Sequence, residues 1–372
     1  MKLLVVTPAY IPDWNKGGSI RGCHEFAKTC KKSKIDITIS TLDTCQTARF
    51  EELIDEIKIL RFRSSKFLNN IAKSGFGISF SWLTWFLKNA HKYDIVYFRS
   101  IWNFTSLVGP VYCVLINKKF GFCASGKLSK YAIEISKNKK KAVLFIFKYF
   151  FNKANFIHYA TNQEKKEQVL KIFSITKPII IPPSVISPEK DILNKELKYY
   201  SVSRIDPLKN IEYILNNFPL DSKNFTQYGE IIYSSSYFNF LKNIQEKRNL
   251  QKNDLIKFGN YVNKEKLDKL YGFGSVFILC SHSEGLSNAA LEALARGSIA
   301  IVSKGSRMQD YIKSGAVIEI DCTKGSNLKN LISSFDFKKV VKMGKQAKRY
   351  MQDTHSDAFL GKKIKDEFES LL

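Results

Sequence analysis

Two glutamates in the second half of the chain, Glu284 and Glu292, have a spacing that could serve ligand binding. They lie in SEGLSNAALEALARG, where a polar loop holds Glu284 and a helix is predicted to begin near Ser287 or Asn288. The loop would present the first carboxylate and the second helical turn the other. Gly285 lets the backbone approach a ligand closely, and the first N–H groups of the helix could bind an anion. Two solvated surface glutamates are the alternative interpretation.

Two basic residues, Arg204 and Lys209, flank a predicted helix start earlier in the same half. In SVSRIDPLKNIEYIL a strand is predicted to end just before Arg204, and Asp206 followed by Pro207 is typical of a helix beginning with an aspartate cap. Two cations beside the free N–H groups of a helix could bind a diphosphate. Alone, this spacing is weak evidence, because basic residues flank helix starts in many proteins.

Alternating strand and helix patterns form the framework that carries both segments. Apolar strand patterns occur at LLVVTPAY, IDITIS, YDIVYF, LKYYSVS, DLIKFG, SVFILCS and IAIVSK, with helix-like sequence between them. This alternation predicts an α/β fold whose parallel sheets are covered on both faces. In such sheets ligands bind beyond the carboxyl ends of the strands, which is where both charged segments lie.

The length of the chain and a proline-rich stretch together predict two domains. A chain of 372 residues exceeds the usual size of one hydrophobic core, and the proline-rich stretch covers 177–190. We predict doubly wound, Rossmann-like domains over 1–185 and 186–353. A C-terminal helix over 354–372 is expected to pack back on the first domain.

Four segments together resemble the retaining, family-four glycosyltransferases of the GT-B fold, also called glycosyl transferases group 1. SEGLSNAALEALARG is similar to the E-x7-E signature of that family, and SVSRIDPLK resembles its strand with an arginine and a lysine. FGNYVNKEKLDKLYGFGSVFILCSHSEG resembles the intervening helix and strand, and TPAYIPDWNKGG the first strand and diglycine loop. The resemblance, loose between residues 45 and 150, implies two doubly wound domains that face each other across a cleft.

The resemblance implies a role for each charged residue. Glu292 would accept hydrogen bonds from the two ribose hydroxyls of a nucleotide-sugar donor, and Glu284 would hold hydroxyls of the transferred sugar. Arg204 and Lys209 would neutralise the diphosphate as it leaves, so these two and Glu284 are the predicted catalytic residues. The second domain would therefore bind the donor, and the first domain would bind the acceptor.

Glycines and backbone groups would complete the donor site that the resemblance implies. Gly17 and Gly18 would let the first domain's loop close over the phosphates, and Val262 would contact the base through its backbone. The remaining predicted donor-binding positions follow Glu284 directly: Gly285, Leu286, Ser287 and Asn288.

Several positions depart from the family pattern. Leu286 and Ser287 replace a common aromatic residue and a glycine, and Ser203 stands where a glycine often occurs. The family's histidine in the first domain has no evident counterpart, because His158 is interpreted as structural and His24 is not expected to reach the site. We therefore assign no catalytic histidine, and the resemblance implies that a donor phosphate oxygen takes the acceptor's proton. No DxD sequence or histidine cluster indicates a metal, and no cofactor is expected beyond the nucleotide sugar itself.

The charge balance and the cysteines bear on partners and compartment. Lys and Arg number 59 against 34 Asp and Glu, which gives a formal net charge of +25. Such an excess favours anionic partners, although an AT-biased genome would also raise the lysine content. A nucleic-acid-binding protein is a distant alternative that no recognition motif supports. Seven scattered cysteines without a CxxC pair argue against a disulfide framework or a zinc site and suit a reducing cytosol.

Three apolar segments bear on membrane contact. Polar residues interrupt the uncharged segment 100–117, which therefore predicts a buried helix rather than a membrane span. KNKKKAVLFIFKYFFNK, at 137–153, fits either an interfacial segment near anionic lipid or a buried helix with solvated lysine ends. SFSWLTWFLK is expected to pack in the core rather than line an acceptor groove. The sequence thus predicts a cytoplasmic protein, either free or peripheral on the cytosolic face of a membrane.

These observations lead to one predicted function and its alternatives. The sequence predicts a metal-independent, retaining hexosyltransferase that extends a lipid-linked glycan of a surface polysaccharide such as lipopolysaccharide or capsule. A GT-B-fold sugar epimerase, or a transferase with a soluble acceptor, is the alternative. The expected partners are a nucleotide-sugar donor, a glycan or lipid-linked sugar acceptor and an anionic membrane surface, without nucleic acid.

Overall fold

The computed structural model divides the chain into two compact units. The first unit contains residues 1–184 and 357–372, and the second contains residues 185–356. The structure describes residues 1–13, 18–43, 50–65, 76–123, 125–134, 137–168, 176–185, 188, 190–219, 224–231, 235–250, 256–260, 262 and 264–372.

An eight-stranded sheet is the framework of the described part of the first unit. Its strands are β1 (Lys2–Thr7), β2 (Asp36–Asp43), β3 (Glu51–Ile54), β4 (Ile57–Arg63), β5 (Ile95–Phe98), β6 (Lys119–Cys123), β7 (Phe156–Tyr159) and β8 (Lys177–Ile180). The strand order is β3-β4-β2-β1-β5-β6-β7-β8. Only β3 and β4 pair in antiparallel fashion within this sheet.

Helices cover both faces of this sheet, so its central strands are apolar on both sides. The helices before residue 184 are α1 (Gly18–Lys32), α2 (Phe80–Asn89), α3 (Phe104–Leu115), α4 (Lys130–Glu134), α5 (Lys137–Asn152) and α6 (Asn162–Lys166). Successive residues of β1 alternate between two core clusters: Leu3 and Val5 belong to one, Leu4 and Val6 to the other. The two clusters lie on opposite faces of the sheet.

The tryptophan segment and the uncharged segment of the first half both form helices that pack in the core. Trp82 of α2 is fully buried, stacks on Phe86 at 4.7 Å between ring centroids, and donates from Nε1 to Ser40 Oγ at 2.9 Å. In α3, Leu107 and Cys113 are buried, which confirms the predicted buried helix. Among the described residues, no helix has the length and apolar character needed to cross a bilayer.

The second unit is built on a six-stranded sheet in which all described pairs are parallel. Its strands are β9 (Leu193–Val202), β10 (Phe225–Tyr228), β11 (Ile256–Gly259), β12 (Phe273–Leu279), β13 (Ile299–Ser303) and β14 (Val317–Ile320). They are ordered β11-β10-β9-β12-β13-β14. Its helices are α7 (Ile211–Asn217), α8 (Ser236–Asn249), α9 (Lys264–Leu270), α10 (Asn288–Ala295), α11 (Ser326–Ser333) and α12 (Phe337–His355).

The final helix, α13 (Asp357–Glu369), belongs to the first unit. Leu360, Ile364 and Phe368 recur at helical spacing and join the core cluster that contains β1 and α1. At the start of the helix, Asp357 accepts hydrogen bonds from Thr29 Oγ1 at 3.0 Å and Ser184 Oγ at 2.8 Å. An apolar stripe and a carboxylate anchor thus attach this helix to the first sheet.

The unit boundaries differ slightly from those expected from the sequence. The second unit begins at Val185 and continues to Ser356, instead of covering 186–353. The later end follows from α12, whose last residue, His355, is buried and bonds the Tyr311 hydroxyl at 2.9 Å. The second unit therefore includes all of α12, and the chain passes back to the first unit at Asp357.

Candidate donor site

An ion pair between Lys209 and Glu284 forms the centre of the candidate site. Lys209 follows β9, Glu284 follows β12, and these two strands are parallel neighbours in the second sheet. Because carboxyl ends of parallel neighbours meet at one edge, residues 75 positions apart in the chain come into contact. Both side chains are largely buried, with 14% and 13% of their surface exposed. The Glu284 atom that contacts the Lys209 ammonium is Oε1.

The loop that carries Glu284 is held mainly through its backbone. Glu284 N donates to the Gly305 carbonyl at 2.8 Å, and the Arg307 guanidinium donates to the Glu284 carbonyl. Ser281 Oγ donates to Glu284 Oε1 at 2.8 Å, so the same carboxylate oxygen serves Ser281 and Lys209. These contacts give the Glu284 side chain a defined position.

The turn after β13, residues 304–307, supports that loop and was not singled out from the sequence. A Cβ on Gly305 would lie 2.3 Å from the His282 carbonyl oxygen, so the close approach requires glycine. Arg307 is buried and adopts a left-handed conformation, with φ of 53°, which directs it to the Glu284 loop. The only sequence signal was the position of KGSR directly after the apolar strand IAIVS.

The segment 206–210 corrects the predicted helix start. Asp206 caps as expected, because its Oδ1 accepts from Leu208 N at 2.9 Å, but the capped element is a single 3-10 turn, Pro207–Lys209. Asn210, with φ of 51°, is in the left-handed conformation and separates this turn from α7, which begins at Ile211. Lys209 therefore ends a short turn and directly precedes Asn210, the N-cap of α7, so the helix begins later than the predicted start at Asp206 and Pro207. Its loop is joined to that of Glu284 by a hydrogen bond from His282 N to the Leu208 carbonyl, at 2.8 Å.

Arg204 is close to Lys209 in sequence but differs from it in environment. Its side chain is exposed in the loop after β9, and it forms no ion pair with the residues that the structure describes. The structure therefore brings Lys209 and Glu284 together and leaves the Arg204 guanidinium in solvent. An exposed guanidinium in the same loop segment as Lys209 is available to a charged ligand.

Helix α10 begins as predicted and carries the second glutamate. Ser287 Oγ accepts from Ala290 N at 3.2 Å, so the serine caps the helix and Asn288 is its first residue. Glu292 is half-buried in the second turn, and Glu284 lies in the preceding loop. The two carboxylates thus occupy separate elements, as the spacing predicted.

The remaining predicted donor-binding positions have different environments. Leu286 packs against the core of the second unit, and Val262, shortly after β11, is buried in that core. Gly285 is half-buried beside Glu284. In the first unit, Gly18 begins α1, whereas Gly17 lies outside the described residues.

The structure shows the surroundings of the two histidines discussed from the sequence and whether the described residues form a metal site. Both ring nitrogens of His158 are bonded internally, one with the Tyr97 hydroxyl and the other with the Ile181 carbonyl. His24 bonds Tyr10 at 2.8 Å and Asp55 at 3.0 Å. Within the described ranges, no group of three or more His, Cys, Asp or Glu side chains could hold a metal ion. The metal-free donor site stays a prediction.

Comparisons with known proteins address the fold and the family. Sucrose-phosphate synthase from Thermosynechococcus elongatus is similar over 100% of this chain and 99% of its own, with a TM-score of 0.76 and 13% identity. Anabaena HepE in complex with UDP is similar over the full length of both chains, with a TM-score of 0.74 and 14% identity. The E. coli trehalose-6-phosphate protein bound with UDP-2-fluoro glucose covers 98% of both chains, with a TM-score of 0.70 and 11% identity.

These likenesses extend over the whole chain and confirm the predicted α/β architecture of two parallel-sheet domains. No curated protein matches the sequence. Residues 185–349, which include the Lys209–Glu284 pair and Glu292, match the family model described as "Glycosyl transferases group 1". This family match covers nearly the whole of the second unit, and the chain as a whole has the GT-B fold of these solved structures.

Proposed function

We propose that this protein transfers a sugar, with retention of anomeric configuration, from a nucleoside diphosphate donor bound by the second unit to an acceptor hydroxyl. The observation that carries the proposal is the Lys209–Glu284 pair at the carboxyl edge of the second sheet. It presents a cation and a carboxylate side by side, as a charged diphosphate and a hydroxyl-bearing sugar require.

The two carboxylate oxygens of Glu284 have different partners in this proposal. Oε1 is occupied by Lys209 and Ser281. Oε2 has no hydrogen-bond partner among the described residues and accepts hydrogen bonds from hydroxyls of the transferred sugar. Glu292, from α10, accepts hydrogen bonds from the ribose.

Departure of the nucleoside diphosphate builds negative charge on its phosphates while the sugar becomes cationic. Lys209 and the exposed Arg204 stabilise the leaving phosphates, and N–H groups at the capped start of α10 add partial positive charge. The acceptor hydroxyl attacks from the face that the diphosphate leaves, and a donor phosphate oxygen takes its proton. No protein side chain is required as the base.

The relatives suggest which donor to test first. HepE is described in complex with UDP and with UDP-glucose, and the E. coli trehalose-6-phosphate protein with UDP-2-fluoro glucose. We infer that a UDP-sugar is the first donor to examine for this chain.

We further propose that the acceptor is a lipid-linked glycan of a surface polysaccharide, reached at an anionic membrane surface. The support is helix α5, on which Phe145, Ile146 and Tyr149 are exposed at i, i+1 and i+4 and therefore share one face. Exposed Lys141 and Lys148 lie on the same helix. An apolar stripe with lysines is typical of a helix that lies in the interface of an anionic bilayer. A soluble sugar phosphate acceptor is the second candidate, because sucrose-phosphate synthase has a similar fold.

Calorimetry with UDP, in the presence and absence of a chelator, tests the donor proposal. We expect saturable binding that the chelator leaves unchanged, and we expect Lys209→Ala to weaken it by about tenfold, since a charge-assisted hydrogen bond contributes about 1.5–3 kcal/mol. Lys329→Ala, which removes an exposed lysine from the same unit, is the matched control.

Two results would contradict the donor proposal. One is UDP binding that the chelator abolishes, and the other is equal affinity in the wild-type and Lys209→Ala proteins. If UDP fails to bind, the same titration with the other nucleoside diphosphates decides whether the base or the site was wrongly assigned.

A further inference from the structure

Two cations outside the donor site, Arg99 and Lys127, lie together at the carboxyl edge of the first sheet. Arg99 follows β5 directly, and its backbone N–H donates to the Val6 carbonyl at 2.8 Å. Lys127 follows β6, the parallel neighbour of β5. Its ammonium donates to Ser100 Oγ at 2.9 Å, which brings it beside the residue that follows Arg99.

Their position in the sheet is one where open α/β sheets bind ligands. Strands β1 and β5 are neighbours, but the chain continues from β1 to β2 on one side and from β5 to β6 on the other. The strand order therefore reverses between β1 and β5, and the crevice beyond the carboxyl ends at such a point is the usual ligand site. Arg99 stands at that crevice.

Neither cation has a carboxylate partner among the described residues. The Arg99 guanidinium lies over the rings of Phe26 and Tyr97, at 5.1 and 5.5 Å from their centroids. Its Nη1 is buried and has no hydrogen-bond partner within the described chain. A buried, unpaired guanidinium nitrogen is costly, and a bound anion would remove that cost.

The charges around this pair do not cancel. Burial, with the Arg99 charge acting in the same direction, lowers the pKa of Lys127. Cys123 supplies the opposing charge: burial would raise the pKa of its thiol, but the His158 and Arg99 charges outweigh burial and lower that pKa to about 5. Even an ionised Cys123 would carry a single negative charge beside Arg99 and Lys127, so this pair keeps an excess positive charge.

We propose that Arg99 and Lys127 form a subsite for a phosphoryl group carried by the acceptor, an inference that rests on the proposed transferase function. A phosphate ester has up to two negative charges near neutral pH, which matches two cations. The planar guanidinium suits two phosphate oxygens at once, and the lysine acts as a point charge. The Ser100 hydroxyl, already bonded to Lys127, fixes the ammonium in place.

Binding of inorganic phosphate tests the subsite without requiring the acceptor. Calorimetry at constant ionic strength would use the full chain with Arg204→Gln and Lys209→Gln, so that phosphate binding at the donor site is suppressed. We expect one saturable site, weakened about tenfold by Arg99→Gln or by Lys127→Gln. Lys92→Gln, at an exposed lysine of the same unit, is the control and should change nothing.

A second readout keeps the test valid if Arg99→Gln does not fold. Lys127→Met should raise the melting temperature in the absence of phosphate, because it removes one of two neighbouring like charges. Phosphate should raise the melting temperature of the parent protein more than that of Lys127→Met. Equal phosphate affinity in the parent and Lys127→Gln proteins would overturn the proposal.

Competition then identifies the source of the phosphoryl group. Glucose 6-phosphate represents a soluble acceptor, and a short-chain prenyl phosphate in detergent micelles represents a lipid-linked one. Displacement of phosphate by either supports the subsite and selects its acceptor class, whereas failure of both overturns the acceptor assignment.

The donor site provides the separate check on the transferase function. UDP affinity should survive Arg99→Gln, and its loss would assign the cation to the donor and overturn the subsite. If no nucleoside diphosphate binds the wild-type protein, the transferase mechanism fails independently of the phosphate result.

Discussion

At the scale of single residues, the backbone of Glu284 holds its loop in place, and its carboxylate is the part proposed to bind the transferred sugar. The Glu284 N–H donates to the Gly305 carbonyl and its own carbonyl accepts from Arg307, so neither contact uses the Glu284 side chain. Glu292 lies in the second turn of α10, within the regular hydrogen bonding of the helix. Both carboxylates can therefore be truncated without loss of the local backbone, which makes their functional effects separable.

Glu284→Ala and Glu292→Ala should impair the enzyme in different ways. We expect Glu292→Ala to weaken UDP binding by tenfold or more, on the order of 1.5–3 kcal/mol, because the ribose belongs to donor and product alike. Glu284→Ala should leave UDP affinity nearly unchanged but lower kcat by about 10²-fold, since its partner is the transferred sugar. Calorimetry and initial rates measure the two effects, and equal losses of UDP affinity would contradict the assignment.

At the scale of elements, helix α5 has two distinct faces that the sequence did not separate. Phe151 is fully buried in the core of the first unit, while Phe145 is 89% exposed. Lys140 turns inward, where its ammonium donates to the Ala132 carbonyl and lies 5.7 Å from the Trp102 ring centroid. The helix is therefore neither fully buried nor freely interfacial, and Lys140 contributes little to its outer surface.

The exposed face of α5 should bind anionic liposomes. Replacing Lys141 and Lys148 by glutamine should weaken cosedimentation roughly thirtyfold, because each lysine near an anionic surface contributes about 1 kcal/mol. Phe145→Ser should weaken it by loss of apolar burial, and this effect should resist high salt, whereas the lysine effect should not.

A matched control is available in the other unit. Phe240 is also exposed, on α8, so Phe240→Ser removes a comparable phenylalanine away from α5. Liposome binding that survives the Phe145 and lysine changes, or that falls equally with Phe240→Ser, would contradict a role for this face. UDP affinity should be unchanged in every one of these variants.

At the scale of the whole molecule, each unit has its own core, and the chain returns to the first unit at its end. Helix α13 adds Leu360, Ile364 and Phe368 to the core of the first sheet. Lys209, Glu284 and Arg307 of the candidate donor site lie in the second unit, on the loops after β9, β12 and β13. Stability of the first unit and nucleotide binding by the second should therefore respond to different substitutions.

Phe368→Ala should destabilise the first unit by about 3–5 kcal/mol, as expected for truncation of a buried aromatic side chain. Its ring is fully buried, against Phe156 at 5.0 Å between centroids. Phe359→Ala, on the same helix but 46% exposed, should cost less than about 1 kcal/mol. Chemical unfolding measures both, and UDP affinity should be unaffected below the unfolding transition. Equal destabilisation by the two substitutions would show that α13 does not carry the core contact.

The fold and the separation of the two glutamates were determined by the sequence, because both depend on local patterns. Apolar strands alternating with helices predicted the parallel sheets, and the helical pattern after the polar loop predicted that α10 begins near Ser287 or Asn288. Periodicity and capping are properties of neighbouring residues, so a single sequence carries them. Local preference was misleading at Asn210, whose left-handed conformation ends the 3-10 turn before α7.

The contacts that assemble the sites were decided by the tertiary structure alone. Lys209 meets Glu284 because β9 lies beside β12, and Arg307 reaches the Glu284 carbonyl because β13 is the next strand in the sheet. Likewise, Arg99 and Lys127 become neighbours only because β5 pairs with β6. Each pairing joins residues distant in the chain and depends on strand order, which local sequence patterns do not encode.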